Sequence, residues 1–120
     1  MAFDRNLARV SLGFFPTPLD DMTHLTAALG GPRLLVKRDD LSGLALGGNK
    51  CRKLEYLLGE AKARGVDTVI TSGSAQSNFA LQMAAAARRL GMEPYLLLVR
   101  GIHNETQGNL SSCTASWIPG

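Results

Sequence analysis

The pattern of apolar and polar positions predicts two helices separated by short apolar strands. One helical face carries apolar residues at the spacing i, i+3, i+4 and i+7, namely Leu54, Leu57, Leu58 and Ala61. We expect this helix to cover residues 50–64 and to stop at Gly65. The segment FALQMAAAARRLG that follows Asn78 is rich in alanine and leucine, which are strong helix formers, and predicts the second helix.

Three apolar runs predict the strands. They are RLLVKR at residues 33–38, VDTVITS at residues 66–72 and PYLLLV at residues 94–99. Strands that alternate with helices at such short spacing need crossover connections, which make the strands parallel. The predicted fold class is therefore α/β, a three-layer sandwich with a parallel sheet.

The two ends of the chain show no long periodic pattern. Residues 1–32 predict an irregular arm with one short helix, which Asp20 or Asp21 would cap and which Gly30-Gly31-Pro32 would end after Leu29. The last ten residues, SSCTASWIPG, have no charge and no clear period. We therefore divide the chain into a main portion, residues 1–110, and an irregular tail, residues 111–120.

Composition predicts a globular protein without nucleic-acid or membrane partners. The 120 residues suffice for about one domain, and 45% hydrophobic with 19% charged residues is ordinary for a soluble chain. The net charge of +3 is small, the basic residues are scattered along the chain, and aromatic residues are few. This composition argues against a nucleic-acid partner. The longest uncharged run, residues 68–87, contains amides and hydroxyls that would be costly in lipid.

Cysteine use and the N-terminus predict a cytoplasmic location. The two cysteines make a poor disulfide framework for this length, and neither has neighbours typical of a metal site. The first residues include Asp4 beside basic residues and lack a long apolar run, so we do not expect a signal peptide.

The sequence GGNK, which ends at Lys50, is the first candidate site. A P-loop requires Gly, four residues, Gly, Lys and then Ser or Thr. Here Gly43 and Gly48 have the right separation, but Asn49 follows them, and the residue after Lys50 is Cys51. A nucleoside-triphosphate site is thus disfavoured, and the turns after the strands also lack the Gly-x-Gly-x-x-Gly sequence of dinucleotide folds.

Two interpretations of Lys50 remain open on the residues alone. Lysines at helix ends are usually solvated, and Lys53, beside Arg52, fits that description. A cation at a helix N-terminus is, however, disfavoured by the macrodipole, by a few tenths to about 1 kcal/mol. An amine in that position is a candidate nucleophile that would form a Schiff base beside an anionic cofactor.

The loop SGSAQSN before the second helix is the second candidate site. Ser77 or Asn78 is an acceptable N-cap, and the small residues before them permit a tight turn. Uncharged donors at a helix N-terminus also hold a carboxylate or phenolate well. In parallel sheets ligands bind beyond the carboxyl ends of the strands, where we expect both loops to lie.

The motifs KRDD, GGNK.RKLE and QSN, in this order and followed by an alanine-rich helix and LGM, resemble a known family. They are similar to the N-terminal part of the fold-type II pyridoxal-phosphate enzymes, the tryptophan synthase β-like group that includes D-cysteine desulfhydrase and 1-aminocyclopropane-1-carboxylate deaminase. The resemblance covers residues 12–110.

The resemblance implies a role for each candidate residue. Lys50 matches the lysine that holds pyridoxal 5'-phosphate as a Schiff base, and Asn49 matches a neighbour of its phosphate. Asn78 matches the residue that hydrogen-bonds the 3-hydroxyl oxygen of the pyridine ring, and Ser77 matches a catalytic hydroxyl that contacts the substrate. Phe79 departs from the family, which usually has histidine or glutamine there, and this affects recognition of the substrate carboxylate.

The resemblance also implies a small amino-acid substrate and, for a full-length chain, a homodimer. Our first hypothesis is a D-cysteine desulfhydrase-like lyase, which the segment NETQGNL slightly favours. The alternatives are a 1-aminocyclopropane-1-carboxylate deaminase and a truncated remnant without activity. Because the family's glycine-threonine phosphate loop and its contact to the pyridine nitrogen come from later segments, we expect a truncated or frameshifted reading of a longer gene.

Overall fold

The computed structural model describes residues 6–99, 108, 109 and 111. In these residues the order of elements is β1 (Leu19–Asp21), α1 (Thr23–Leu29), β2 (Leu35–Lys37), a 3-10 helix (Asp39–Leu41), α2 (Lys50–Ala63), β3 (Thr68–Ser74), α3 (Asn78–Arg89) and β4 (Glu93–Val99). Of the predicted tail, Ser111 alone is described, so the predicted irregularity of residues 112–120 lies outside the described residues.

The central sheet is parallel. β3 pairs with β4 in a register that runs from Thr68 opposite Glu93 to Ser74 opposite Val99. The connection between them is α3, which packs on both strands, and α2 packs on α3. The predicted α/β class with a parallel sheet is confirmed. Within the described residues α3 covers one face of this sheet.

The other face of the β3–β4 sheet is apolar and exposed in the described part of the chain. Its large side chains retain 55 to 68% of their accessible surface, and they are Ile70, Tyr95, Leu97 and Val99. Strands of a parallel sheet are normally buried on both faces. In the described residues this apolar face is therefore left uncovered.

The strand predicted at residues 33–38 does not join the parallel sheet. It is the short strand β2, and it pairs antiparallel with β1 in a separate sheet, with Asp20 opposite Val36. Ion pairs hold the two segments together, because Arg33 binds Asp21 and Arg38 binds Asp20. The prediction of a parallel third strand is therefore wrong for this segment.

The same ion pairs explain why the predicted cap of the first helix is wrong. Asp20 and Asp21 lie in β1 and direct their carboxylates to arginines. The helix begins at Thr23 without a side-chain cap. Its predicted end is confirmed, since Gly30 closes it in the left-handed conformation, with φ of 60°.

The two long helices lie close to their predicted positions. α2 begins at Lys50 and is followed by Gly65 with φ of 70°. Leu54 and Leu58 are buried as predicted, but Leu57 is 52% exposed. The buried face is shifted toward Cys51 and Glu55, so that a carboxylate takes part in it.

One hydrophobic core joins α2, α3 and the N-terminal arm. Its buried members are Leu12, Leu44, Cys51, Leu54, Leu58, Met83, Ala86, Ala87 and Met92. Burial raises the pKa of the Cys51 thiol, which therefore remains protonated at neutral pH. The arm thus contributes directly to the core rather than crossing an outer surface.

Glu55 fastens this arm to α2. Its Oε1 accepts hydrogen bonds from the backbone N–H of Leu12 at 2.9 Å and of Gly13 at 3.2 Å. Its Oε2 accepts from Arg9 Nε at 2.7 Å. Burial by itself raises the pKa of this carboxyl, but these hydrogen bonds outweigh burial and hold the pKa below its ordinary value.

We predict that Glu55→Ala destabilises the chain by about 2 to 4 kcal/mol, because each buried N–H left without an acceptor costs about 1 to 3 kcal/mol. Glu60→Ala is the matched control on the same helix, since Glu60 is exposed and makes one i,i+4 pair with Arg64. We expect that control to change the free energy of unfolding by less than about 0.5 kcal/mol. Urea denaturation of both variants measures the difference, and equal effects would contradict the role of Glu55.

Candidate functional site

The N-termini of α2 and α3 lie side by side. Lys53 Nζ, in the first turn of α2, is 4.0 Å from the centroid of the Phe79 ring in the first turn of α3. One turn further along α3, Gln82 Nε2 donates to the carbonyl of Gly47 at 2.6 Å. The loops GGNK and SGSAQSN therefore lead into helix starts at the same end of the helix pair.

The turn before α2 is tightly packed and requires glycine. Gly47 and Gly48 have φ of 76° and 122°, and a Cβ on Gly47 would lie 1.9 Å from the carbonyl oxygen of Asp40. Gly48 N–H donates to the carbonyl of Asp39 at 2.8 Å and to Ser42 Oγ at 3.1 Å. These contacts fix the path of the backbone that leads into Lys50.

An ion pair ties the same turn to α2. Arg52 donates from Nε to Asp39 Oδ2 at 2.8 Å and from a terminal nitrogen to Oδ1 at 2.7 Å. Thr17 Oγ1 also donates to Asp39 Oδ1, at 2.7 Å. The hydrogen bonds from Arg52 and then Thr17 hold the pKa of Asp39 well below its usual range. Asp39 is thus a charged support of the turn at neutral pH.

Lys50 is the first residue of α2 and is half-buried. Its ammonium makes no hydrogen bond or ion pair with another residue in the described part of the chain. Lys53 is exposed as predicted, but it also contacts Phe79. Because residues three apart share a helix face, Lys50 lies on the side of α2 that faces the start of α3.

Asn49 occupies the N-cap position of α2 without acting as a side-chain cap. Its backbone is in the helical region, with φ of −69° and ψ of −14°, and its side chain is exposed. The Asn49 amide therefore has its donors available beside Lys50.

Ser77 is the N-cap of α3. Its Oγ accepts a hydrogen bond from Ala80 N–H at 3.2 Å, and its backbone is extended. The simple structural explanation of Ser77 is thus correct, yet it does not exclude a second role. A hydroxyl that accepts at its oxygen still has an O–H to donate.

Asn78 follows as the first residue of α3 and is exposed. Its Oδ1 accepts a hydrogen bond from Asn109 Nδ2 at 2.7 Å. Sequence reasoning missed Asn109, which lies 31 residues further along the chain, inside the segment NETQGNL. The Gly108-Asn109 pair in the sequence could have indicated this residue, because glycine followed by asparagine is typical of a turn that carries a polar side chain.

Gln82 is a second residue that sequence reasoning missed. It is buried, and while its Nε2 binds Gly47, its Oε1 has no hydrogen-bond partner within the described residues. A buried polar atom without a protein partner is costly, so this oxygen is a candidate acceptor for water or a ligand. This atom lies next to the turn that presents Lys50.

The electrostatics favour an anionic ligand at the paired N-termini. Neither α2 nor α3 has an acidic residue in its first turn. The partial positive charge of each helix end is therefore not neutralised by its own sequence. Lys50, Asn49 and Asn78 add donors at the same place, so these residues fit a phosphorylated cofactor with an aldehyde that reacts with an amine.

Phe79 is half-buried and packs against the hydrophobic core beneath the Lys53 ammonium. A phenyl ring offers no hydrogen bond to a carboxylate. If a substrate carboxylate binds here, other groups must hold it.

Other kinds of site were not found in the part of the chain that the structure describes. No group of three histidine, cysteine, aspartate or glutamate side chains is arranged to bind a metal ion there. Within the same residues, no helix has the length and apolar character needed to cross a membrane.

Comparison with known proteins identifies relatives of this chain. The family model described as pyridoxal-phosphate dependent enzyme matches residues 10–118. A 1-aminocyclopropane-1-carboxylate deaminase from Rhizobium leguminosarum bv. viciae is 47% identical over 95 residues, which are 78% of this chain and 28% of the relative. A protein of the same name from Burkholderia ambifaria is 50% identical over 91 residues, 74% of this chain and 27% of the relative.

A solved structure supports the same relationship. A crystal structure described as an ACC deaminase homologue superposes with a TM-score of 0.87 and 42% sequence identity, covering 94% of this chain and 34% of that chain. The present chain therefore spans about a third or less of the length of the proteins it matches.

Proposed function

Because the chain belongs to the pyridoxal-phosphate dependent enzyme family, we propose that it forms the lysine-bearing part of an enzyme that deaminates 1-aminocyclopropane-1-carboxylate. The names of the relatives support this substrate over D-cysteine, which the sequence alone slightly favoured. The family and its curated relatives use pyridoxal phosphate.

The observation that carries the proposal is the position of Lys50. It is a half-buried amine at a helix N-terminus, without an ion-pair partner among the described residues, beside a second helix N-terminus. When bound, pyridoxal phosphate supplies an electron sink for the carbanion formed at the substrate α-carbon. In the proposal Lys50 would hold the cofactor through its amine, and its free amine would accept or return protons next to the reacting carbons.

The residues at the start of α3 would bind and orient the cofactor and the substrate. In the proposal Asn78 donates a hydrogen bond to the 3-hydroxyl oxygen of the cofactor ring. Ser77 donates its O–H to the substrate carboxylate, since its oxygen is already engaged by Ala80 N–H. Asn49 donates to the cofactor phosphate beside Lys50. Phe79 packs against the core beneath Lys53 and supplies no hydrogen bond to the substrate.

The two candidate reactions begin alike and differ in what leaves. Both would start from a small amino acid bound by its α-amine beside Lys50. The deaminase converts 1-aminocyclopropane-1-carboxylate and water into 2-oxobutanoate and ammonia, whereas the desulfhydrase converts D-cysteine and water into pyruvate, sulfide and ammonia. Sulfide is thus a product of the desulfhydrase reaction alone, so its release distinguishes the two.

A second candidate function is a non-catalytic subunit or remnant. The exposed apolar face of the β3–β4 sheet favours it, because that face is suited to binding further polypeptide. The relatives are about three times longer than this chain, so the partner in that case is the remainder of an enzyme of this family.

We predict that borohydride reduction after incubation with pyridoxal phosphate attaches the cofactor to Lys50. The physical reason is that Lys50 is held at the paired helix N-termini, where the anionic cofactor is attracted. Peptide mass spectrometry locates the adduct, and Lys50→Ala should remove at least about nine-tenths of the labelling at low cofactor concentration. That reduction corresponds to a tenfold preference, about 1.4 kcal/mol.

Lys62→Ala is the matched control for this experiment. Lys62 is an exposed lysine in the last turn of the same helix, where the dipole favours cations and disfavours an anionic ligand. Its removal should leave the labelling unchanged. Labelling centred on Lys53 or spread evenly over the lysines would refute the assignment of Lys50.

We further predict that the 120-residue chain alone shows no turnover above that of free pyridoxal phosphate. The exposed sheet face and the short length relative to the family mean that groups orienting the cofactor are supplied by further polypeptide. Mixing the chain with the remaining two-thirds of the Burkholderia ambifaria relative should restore ammonia release from 1-aminocyclopropane-1-carboxylate, without sulfide from D-cysteine. Saturable sulfide release from D-cysteine would instead support the desulfhydrase.

A further inference from the structure

We propose that Asn109 is a positioning residue that sets which end of the Asn78 amide faces the candidate site. The proposal rests on the proposed function for the identity of the ligand, but its geometric core concerns the chain by itself. Asn109 does not touch the cofactor in this arrangement. It acts through Asn78.

The orientation of the Asn109 amide follows from its contact with the backbone. Its Nδ2 lies 2.8 Å from the carbonyl oxygen of Gln76. A backbone carbonyl has no proton and can act only as an acceptor. The atom of Asn109 that faces Gln76 must therefore be the amide nitrogen, although side-chain nitrogen and oxygen otherwise have similar shapes.

The orientation of Asn78 follows from that of Asn109. The same Nδ2 lies 2.7 Å from the Asn78 side chain. An amide nitrogen carries two protons, so one can bind the Gln76 carbonyl and the other can bind Asn78. The Asn78 atom in this contact must be an acceptor, which is Oδ1. The Asn78 NH₂ group is therefore turned away from Asn109.

Asn109 is itself held in place by two further features. Its backbone N–H donates to Gln76 Oε1 at 3.0 Å. Gly108 has φ of 55°, and a Cβ there would lie 2.6 Å from the same Gln76 oxygen. Any larger residue at position 108 would push Gln76 aside, so the glycine is part of the same contact.

The consequence is a fixed donor at the start of α3. An amide with its NH₂ group turned outward binds an anionic oxygen, such as the 3-hydroxyl oxygen of the cofactor ring after loss of its proton. The reversed amide would present a carbonyl oxygen and would repel that anion. A residue 31 positions downstream thus decides whether Asn78 attracts or repels the ligand.

Asn109→Asp inverts this arrangement without a large change of shape. A carboxylate at position 109 accepts hydrogen bonds and cannot donate to the Asn78 oxygen or to the Gln76 carbonyl. We expect the Asn78 amide to rotate so that its NH₂ group faces the introduced carboxylate and its oxygen faces the site. Asn109→Gln keeps a donor and should preserve the wild-type orientation in part, so it serves as the matched control.

The first measurement uses the 120-residue chain without cofactor. Scalar couplings across hydrogen bonds, observed by NMR, identify which nitrogen donates to which carbonyl carbon. We expect couplings from Asn109 Nδ2 to the carbonyl carbons of the Gln76 backbone and the Asn78 side chain. A coupling from Asn78 Nδ2 to the Asn109 side chain, or no coupling at Asn109, would overturn the proposal.

The second measurement uses the chain combined with the remaining part of the Burkholderia ambifaria relative. Asn109→Asp should raise the Kd for pyridoxal phosphate by about tenfold or more, as expected for loss of a charge-assisted hydrogen bond. It should also move the pH midpoint of the bound cofactor's absorption band upward, because the anionic oxygen loses a donor. Asn109→Gln should restore both values toward wild type, whereas a general loss of folding would not show this rescue.

The two measurements separate the two hypotheses. If the couplings are observed but pyridoxal phosphate does not bind the combined protein, the proposed function fails and the role of Asn109 in orienting Asn78 stands. If the cofactor binds equally well to wild type and Asn109→Asp with the same midpoint, the positioning role is wrong and the proposed function is unaffected.

Discussion

The close packing of α2 against α3 is the constraint on which the rest of the structure depends. Leu54 and Leu58 of α2 share one buried cluster with Met83, Ala86 and Ala87 of α3, and the small alanine side chains permit a close approach. The glycine turn before α2 then fits against Gln82. Because the two N-termini point to the same end, their partial positive charges add, and the polar residues of both loops collect there.

The sequence predicted those parts of the fold that depend on local pattern. α2, α3, β3 and β4 follow from periodicity and composition, and the loops with Lys50, Ser77 and Asn78 lie at helix starts as expected. The failures involve pairing between distant segments. β2 pairs antiparallel with β1, where arginines also bind Asp20 and Asp21, and Glu55 is buried with backbone N–H groups of the arm bound to its carboxylate. The periodic pattern of one segment does not include the distant residues that bind it, so periodicity could not reveal these contacts.

The candidate site shows the same limit. A lysine behind two glycines and a serine-asparagine pair at a helix start are visible as motifs, and the structure brings them to one place. The hydrogen bond from Asn109 to Asn78 spans 31 residues, and the buried Gln82 resembles an ordinary polar helix residue. The substrate was less predictable still, because these motifs belong to the chemistry that the whole family shares and do not distinguish one substrate from another. The relatives favour 1-aminocyclopropane-1-carboxylate over the D-cysteine that the sequence suggested.

The central claim is that the paired helix N-termini and Lys50 form the cofactor site. A crystal structure of the chain, combined with the missing part of a relative and reduced with borohydride in the presence of pyridoxal phosphate, tests it most directly. We expect continuous electron density between Lys50 Nζ and the cofactor, with the ring oxygen within about 3 Å of Asn78 Nδ2, the usual length of such a hydrogen bond. Cofactor density joined to Lys53, or bound away from the starts of α2 and α3, would contradict it.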